Sequence, residues 1–195
     1  FVFGPDDPVT INIWARTTDS AVNQGILAKW GSAGSSTTVE YALRLIGGNW
    51  RAEIGDGSTS TNKAFGISAN SNIWYMLTYQ HDPVANTLGI SANAATVETV
   101  AWSTGILAGT SNFSIGRPGE FNGQYWNGLI QHCGIWRRVL SAAELTSLYA
   151  SGAALVYPFG EISVPINRTI FLGHESRSNG DTSWNFVLWA MRRSY

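Results

Sequence analysis

The sequence contains a single cysteine, Cys133, among 195 residues. One thiol cannot form an intrachain disulfide, and it supplies neither a thiolate zinc cluster nor a CxxC redox motif. We therefore predict that Cys133 is a small buried apolar side chain. The sequence also has no long uninterrupted apolar run and no signal-peptide pattern at its start, so membrane insertion is not predicted.

Charge is scarce as well. Charged residues make up 13% of the chain, with 12 basic and 13 acidic groups and a net charge of −1. They are scattered without blocks, which argues against the basic surface that nucleic-acid binding needs. The histidines, His81, His132 and His174, are too far apart in sequence for a zinc motif, and no serine lies in a nucleophile elbow.

Aromatic residues and glycines are abundant, at 12% of the chain and 21 residues. Short apolar and β-branched segments recur along the chain, each closed by Gly, Asn, Asp or Ser. This pattern predicts an all-β fold, a jelly-roll sandwich of two antiparallel sheets, with Gly47-Gly48 as a hairpin turn. The predicted strands are 9–15, 25–30, 40–46, 49–54, 74–79, 87–92, 96–101, 112–116 and 128–136.

One short helix is expected among these strands. The stretch Ser141–Glu144 is a capping-box pattern, and Leu145 and Leu148 follow at helical spacing. Gly152 is a suitable C-terminal cap. We predict a helix over Ala142–Ala150 that lies against one end of the sandwich and seals it.

The order of these segments from Phe3 to Tyr157 resembles the laminin-G-like domains of the concanavalin A-like lectin and glucanase superfamily. The resemblance is carried by Thr10–Arg16, Ile26–Trp30, Trp74–Tyr79, Phe113–Gly116, Gly128–Ile130 and Ile135–Glu144. It implies a jelly-roll domain over residues 1–157, followed by a C-terminal extension over 158–195 that is strand-like and either docks to a partner or completes a sheet.

The resemblance also raises the question of calcium. The family commonly places acidic residues after the strand segment Gly128–Ile130, where this chain has Gln131 and His132. Calcium would need several carboxylate and carbonyl oxygens from loops. Four aspartates in predicted loops are either such ligands or ordinary turn residues: Asp6, Asp7, Asp56 and Asp82. We predict no metal ligand and no cofactor.

Glucanases of the superfamily need two carboxylates about 5 Å apart for a retaining mechanism. The candidates here are Glu53 and Asp56, whose odd spacing places them on opposite faces of a strand unless a bulge intervenes. We therefore predict a non-enzymatic protein with no catalytic residues, and glycoside hydrolysis is the third of three alternatives.

A sugar site is the favoured candidate for ligand binding. Residues 119–127 form a polar, aromatic loop, and aromatic faces stack on sugars while polar groups pair with their hydroxyls. The alternative is that the aromatic residues belong to the core. The candidate ligand-binding residues are Trp50, Asp56, Arg117, Tyr125 and Trp126.

The C-terminal extension is rich in aromatic and arginine residues, the types enriched at interface cores. It is either a partner-docking segment or an edge strand, and its candidate docking residues are Trp184, Phe186, Trp189, Arg192 and Arg193. The run from Leu148-Tyr149 to Tyr157-Pro158 loosely resembles jelly-roll proteins among bacteriophage structural proteins.

These observations favour a structural or adhesive module displayed on a larger, oligomeric assembly with protein partners. We expect a virion surface, as a decoration or tail protein, or an extracellular location. Binding of a surface glycan is compatible with that role. The alternative is a free-standing lectin-like carbohydrate-binding protein.

Overall fold

The computed structural model describes residues 1–32, 34–120 and 123–154, together with the backbone of 186–188. In chain order the strands are β1 (Val9–Thr17), β2 (Gln24–Trp30), β3 (Val39–Ile46), β4 (Asn49–Gly55), β5 (Ser60–Ser68), β6 (Tyr75–Asp82), β7 (Thr87–Ala92), β8 (Glu98–Ala101), β9 (Phe113–Ile115), β10 (Gly128–Trp136) and β11 (Phe186–Leu188). They form a six-stranded sheet, ordered β11-β10-β1-β6-β7-β8, and a five-stranded sheet, ordered β5-β4-β3-β2-β9. All described strand pairs are antiparallel, which confirms the predicted sandwich.

The core lies between the inner faces of the two sheets. Strand β1 shows why, since Ile11, Ile13 and Ala15 are fully buried against the other sheet while the residues between them point outwards. Burying a Val, Leu, Ile or Phe side chain contributes about 1.5–3 kcal/mol, and fifteen such side chains are buried in this core among the described residues. Cys133 belongs to this core, as predicted, and its burial raises the pKa of the thiol to about 12.

The hairpin between β3 and β4 turns at Gly47 and Gly48, as predicted. Both residues have positive φ, 56° and 78°, which glycine adopts without steric cost. The two-residue turn sets the register of the hairpin, pairing Ile46 with Asn49, and it fixes which side chains lie opposite one another further along.

Strand β5 was not predicted from the sequence. Its segment is mostly polar and exposed, and Phe65 is its one fully buried residue. It lies at the edge of the five-stranded sheet, where Lys63 forms an ion pair of 3.0 Å with Glu98. Charged side chains on edge strands oppose edge-to-edge association, and they also hide the alternating pattern on which strand prediction depends.

The predicted helix is present as α1 (Ala142–Tyr149), with both hydrogen bonds of the capping box between Ser141 and Glu144. It ends one residue earlier than predicted, because Ala150 rather than Gly152 adopts the left-handed cap, with φ of 46°. No helix of the described residues is long and apolar enough to cross a membrane.

The position of the helix differs from the prediction. It packs on the outer face of the six-stranded sheet instead of sealing an end of the sandwich. Leu145 contacts Trp136 and Leu140, and Tyr149 stacks on Trp14 with ring centroids 5.8 Å apart. Trp14 and Trp136 point away from the core, so they offer an apolar surface that the helix covers.

Part of the C-terminal extension reaches the sandwich. Strand β11 pairs with β10, with Cys133 opposite Leu188 and Ile135 opposite Phe186. The side chain of Phe186 and the other candidate docking residues, Trp184, Trp189, Arg192 and Arg193, lie outside the described residues. Their docking role and the domain boundary at 157/158 stay predictions.

Candidate functional site

The polar, aromatic loop follows β9 and returns along the neighbouring strand β2. Hydrogen bonds from Gly25 N to Gln124 O (2.7 Å) and from Glu120 N to Trp30 O (2.8 Å) hold it there. Gly25 permits this approach, since a Cβ at that position would lie 2.2 Å from Pro118 N. Residues 123–127 therefore border the outer face of the five-stranded sheet.

Trp50 does not belong to this border. Its exposed fraction is 0%, and its ring centroid lies 5.1 Å from that of Tyr75 and 6.2 Å from that of Trp126. The alternation of β4 directs Trp50 inwards together with Ala52 and Ile54. Trp50 is a core residue, and the prediction that it contacts a ligand is wrong.

Asp56 lies far from Trp50, with which the prediction grouped it. It follows the last residue of β4 while Trp50 lies near its start, so the two are about 20 Å apart along the strand. Its Oδ1 accepts hydrogen bonds of 2.7 Å from both Ser58 N and Thr59 N. Bonds from the backbone of Thr59 and the side chain of Thr104 hold the pKa of Asp56 at about 2. Asp56 stabilises its own turn beyond the end of β4, and a role in ligand binding stays a prediction.

The other three candidates lie in the loop. Arg117 is half-buried, and its Nε donates to Gly119 O within the loop. Trp126 is half-buried against the core, and its Nε1 donates to Leu129 O at 3.3 Å. Tyr125 is 55% exposed, and among the described aromatic residues of this loop it offers most surface to a ligand. A binding role for these residues stays a prediction.

The structure adds a charged cluster that sequence reasoning missed. Arg44 on β3 lies directly opposite Arg51 on β4, and Glu53 is the next outward-facing residue of β4. The Nη1 of Arg44 donates to both carboxylate oxygens of Glu53 at 2.9 and 3.1 Å, while Nη1 of Arg51 lies 3.7 Å from Glu53 Oε1. We call Arg44, Arg51 and Glu53 the arginine cluster.

Arg44 connects this cluster to the loop. Its Nη2 donates to Gln124 Oε1 at 2.5 Å, and its guanidinium carbon lies 5.1 Å from the centroid of the Trp30 ring. Stacking on an aromatic face and hydrogen bonding at the edge fix the plane of a guanidinium. The loop and the arginine cluster therefore form one surface.

The sequence contains the signal that could have located this cluster. A two-residue turn at Gly47-Gly48 pairs Arg44 with Arg51, and the apolar alternation of both strands directs these side chains outwards. The aromatic residues drew the sequence-based prediction to Trp50 instead.

The loop aspartates bind their own turns. Oδ2 of Asp7 accepts from Gly4 N at 2.7 Å and from Arg137 at 2.9 Å, and Oδ1 of Asp82 accepts from Val84 N and Ala85 N, each at 2.9 Å. In the part of the chain that the structure describes, no three His, Cys, Asp or Glu side chains, Asp6 included, converge as metal ligands do.

A laminin G family model, described as the concanavalin A-like lectin/glucanases superfamily, matches residues 2–146. The chain belongs to this superfamily. This confirms the resemblance from the sequence, whereas the looser similarity to bacteriophage structural proteins stays a prediction. A comparison with curated proteins finds no match.

Several solved structures share the fold of this chain at low sequence identity. The CBM40 of Ruminococcus gnavus IT-sialidase, bound to α2,3-sialyllactose, is 18% identical with a TM-score of 0.61, over 73% of this chain and 83% of that one. A native heptameric SAP-like pentraxin from Limulus polyphemus is 15% identical with a TM-score of 0.57, over 79% and 76%. The binding domain of botulinum neurotoxin serotype G is 18% identical with a TM-score of 0.56, over 77% and 38%.

Proposed function

We propose that this chain is a non-enzymatic glycan-binding module. Its site is the outer face of the five-stranded sheet, bordered by residues 123–127. The observation that carries the proposal is the hydrogen bond between Arg44 and Gln124. It connects the charged outer face of the sheet to the loop that contains the exposed Tyr125.

The composition of this surface suits sugar recognition. A pyranose offers apolar C–H faces for an aromatic ring and hydroxyls for planar polar groups, and sugar sites combine both. Tyr125 supplies an exposed ring, and Gln124, Arg51 and Glu53 supply donors and acceptors held at known positions.

The carboxylates argue against glycoside hydrolysis. Glu53 is engaged by Arg44 and Arg51, and Asp56 is bound by its own turn beyond the far end of β4. A retaining hydrolase needs a nucleophile and an acid about 5 Å apart, both facing the substrate. These two residues do not meet that requirement.

The solved relatives support the same proposal. One is a carbohydrate-binding module bound to sialyllactose, and another is described as a putative carbohydrate-binding protein from Bacteroides ovatus, with a TM-score of 0.58 and 17% identity. The CBM40 shows that this fold binds a sugar in another protein, and the arginine cluster and loop indicate where it would do so here.

A glycan array with the purified chain, run with and without calcium, tests the proposal. We expect binding to a defined set of glycans and a loss of about tenfold in affinity for Tyr125→Ala, the effect of losing one aromatic contact. Val84→Ala is the matched control, because Val84 is an exposed residue in the turn between β6 and β7. Absence of binding to any glycan in both conditions would overturn the proposal.

Display of the module on a larger assembly, such as a virion surface or tail, is a further part of the proposal. The heptameric pentraxin supports it, because that protein has this fold and is an oligomer of seven subunits. Light scattering followed by electron microscopy of the native particle tests it. A large regular assembly is expected, and a monodisperse monomer unaffected by deletion of its last thirty or so residues would contradict it.

A further inference from the structure

The arginine cluster is an unusual arrangement for the outer face of a sheet. The register places Arg44 directly opposite Arg51, and like charges in that position destabilise an antiparallel pair. Glu53 offsets one of the two positive charges and leaves the other. The cluster therefore carries a net charge of +1 in a surface where the side chains of Arg44 and Glu53 are only 11% and 9% exposed.

The two arginines differ in how fully they are engaged. Arg44 donates to both oxygens of Glu53, donates to Gln124 and stacks on Trp30. Arg51 has one long contact of 3.7 Å to Glu53, and its side chain is 31% exposed. The uncompensated charge thus resides on Arg51, the member of the cluster that a ligand can reach.

Hydrogen-bond donors also exceed acceptors in this cluster. The Nε atoms of Arg44 and Arg51 are buried and have no acceptor among the described residues. The side-chain acceptors in contact with the two arginines are the carboxylate of Glu53 and the amide oxygen of Gln124. Two guanidinium groups carry ten N–H donors by their chemistry, about twice what these acceptors can take. Unsatisfied buried donors are destabilising, and an anion at the exposed part of the Arg51 guanidinium would supply the missing negative charge and further acceptors.

We propose that the ligand of this surface is an acidic glycan, and that Arg51 receives its carboxylate or sulfate group. This inference rests on the proposed glycan-binding function and deepens it. Glu53 and Arg44 position Arg51 and complete the surface, while Tyr125 contacts the sugar ring. A planar carboxylate or a sulfate pairs with a guanidinium through two parallel N–H···O bonds, so an arginine at this position favours acidic over neutral sugars.

Isothermal titration with three forms of one disaccharide tests the inference: lactose, lactose carrying a sialic acid, and lactose carrying a sulfate. We expect at least one acidic form to bind about tenfold or more tightly than lactose. Arg51→Gln should remove that preference, so that the acidic and neutral forms bind with affinities within about twofold of each other, and Arg51→Lys should restore part of it. The preference should weaken as salt concentration rises.

Arg16→Gln is the matched control, since Arg16 is an arginine of β1 that bonds Asn72 away from the cluster. It should leave both affinities unchanged, and thermal unfolding confirms that each variant is folded. Equal affinity for acidic and neutral forms, or an unchanged preference in Arg51→Gln, would overturn this inference while leaving glycan binding intact. Absence of binding to all glycans would overturn the proposed function and this inference together.

Discussion

The two outer faces of this sandwich are formed in the same way, but one is covered by a helical segment and the other carries a net charge. Each is made by the side chains that alternate with the core, so each begins as a mixture of polar and apolar residues on exposed strands. The outer face of the six-stranded sheet is closed by the segment that contains α1. The outer face of the five-stranded sheet is bordered by a loop and keeps a net charge.

On the six-stranded sheet, closure satisfies buried polar groups. Oγ1 of Thr10 donates to Arg138 O at 2.8 Å and accepts from Leu140 N at 3.0 Å, and Gln80 Nε2 donates to Leu140 O at 2.8 Å. Ser91 Oγ is an exception, as a buried hydroxyl with no partner among the described residues. The face contributes mainly to stability.

On the five-stranded sheet, the arginine cluster leaves donors without acceptors and like charges opposite each other. Stability alone would favour apolar or neutral residues at these positions, because desolvated ion pairs contribute little net stability. From this difference between the two faces we infer the location of the proposed ligand surface. Buried donors without acceptors and an uncompensated charge indicate it more than aromatic content does.

The largest expected effect comes from opening the closed face. Leu145→Ala removes the buried side chain that attaches α1 to Trp136 and Leu140, and it should lower the free energy of unfolding by about 2–5 kcal/mol. Leu148→Ala, at a half-buried position of the same helix, should cost less than half as much. Urea denaturation measures both, and equal losses would show that α1 does not close this face.

The second prediction concerns the arginine cluster. Glu53→Leu leaves two arginines facing each other and should cost about 2 kcal/mol, less than for a fully buried pair because Arg51 is partly exposed. The triple variant Arg44→Met, Arg51→Met, Glu53→Leu should be as stable as the parent or more stable, and it should show no preference for acidic over neutral glycans. A triple variant less stable than Glu53→Leu would show that the cluster exists for stability.

The third prediction tests the satisfied polar groups of the closed face. Thr10→Val leaves Leu140 N and Arg138 O without their partner and should cost about 1–2 kcal/mol in chemical denaturation. Thr18→Val, in the exposed turn after β1, is the comparison variant and should cost less. Glycan affinity should not change in either variant, and a loss in Thr10→Val would show that the two outer faces are coupled.

The smallest effect expected is a pH dependence confined to the six-stranded sheet. Burial lowers the pKa of His81 and of His132 below the ordinary value of 6.5, so the unfolded chain binds protons that the folded chain does not. Stability should therefore be constant between about pH 7 and pH 8 and fall as the pH drops below 6.5, by less than about 1.4 kcal/mol per pH unit for each histidine.

His81→Gln should reduce this slope between pH 7.5 and about 5.5, leaving the part due to His132, as measured by urea denaturation at several pH values. A flat profile in the parent protein would contradict the prediction. The arginine cluster contains no histidine, so affinity for an acidic glycan should not follow the same curve.

Most of the fold could be predicted because it depends on local periodicity. The alternation in β1, the glycine pair at 47–48 and the capping box at Ser141–Glu144 each act over a few residues, and the structure confirms all three. Strand β5 was missed because an edge strand with a single buried residue has almost no alternation to detect.

The site was predicted less well, for two different reasons. The burial of Trp50 and the pairing of Arg44 with Arg51 follow from alternation and turn length, so the sequence contained that information although the prediction did not use it. The path of residues 116–120 and 123–127 along β2 could not be predicted, because it depends on contacts such as Gly25 with Gln124, almost a hundred residues apart.

The sequence by itself determined the class of fold, the order of most strands and the faces of each strand, because side-chain periodicity and turn chemistry are local. The tertiary structure alone decided which outer face is closed and which stays charged, since that depends on where α1 and the loop after β9 pack. Packing between segments far apart in sequence leaves no pattern within either segment. In this protein such packing decides which outer face contributes to stability and which is the candidate binding surface.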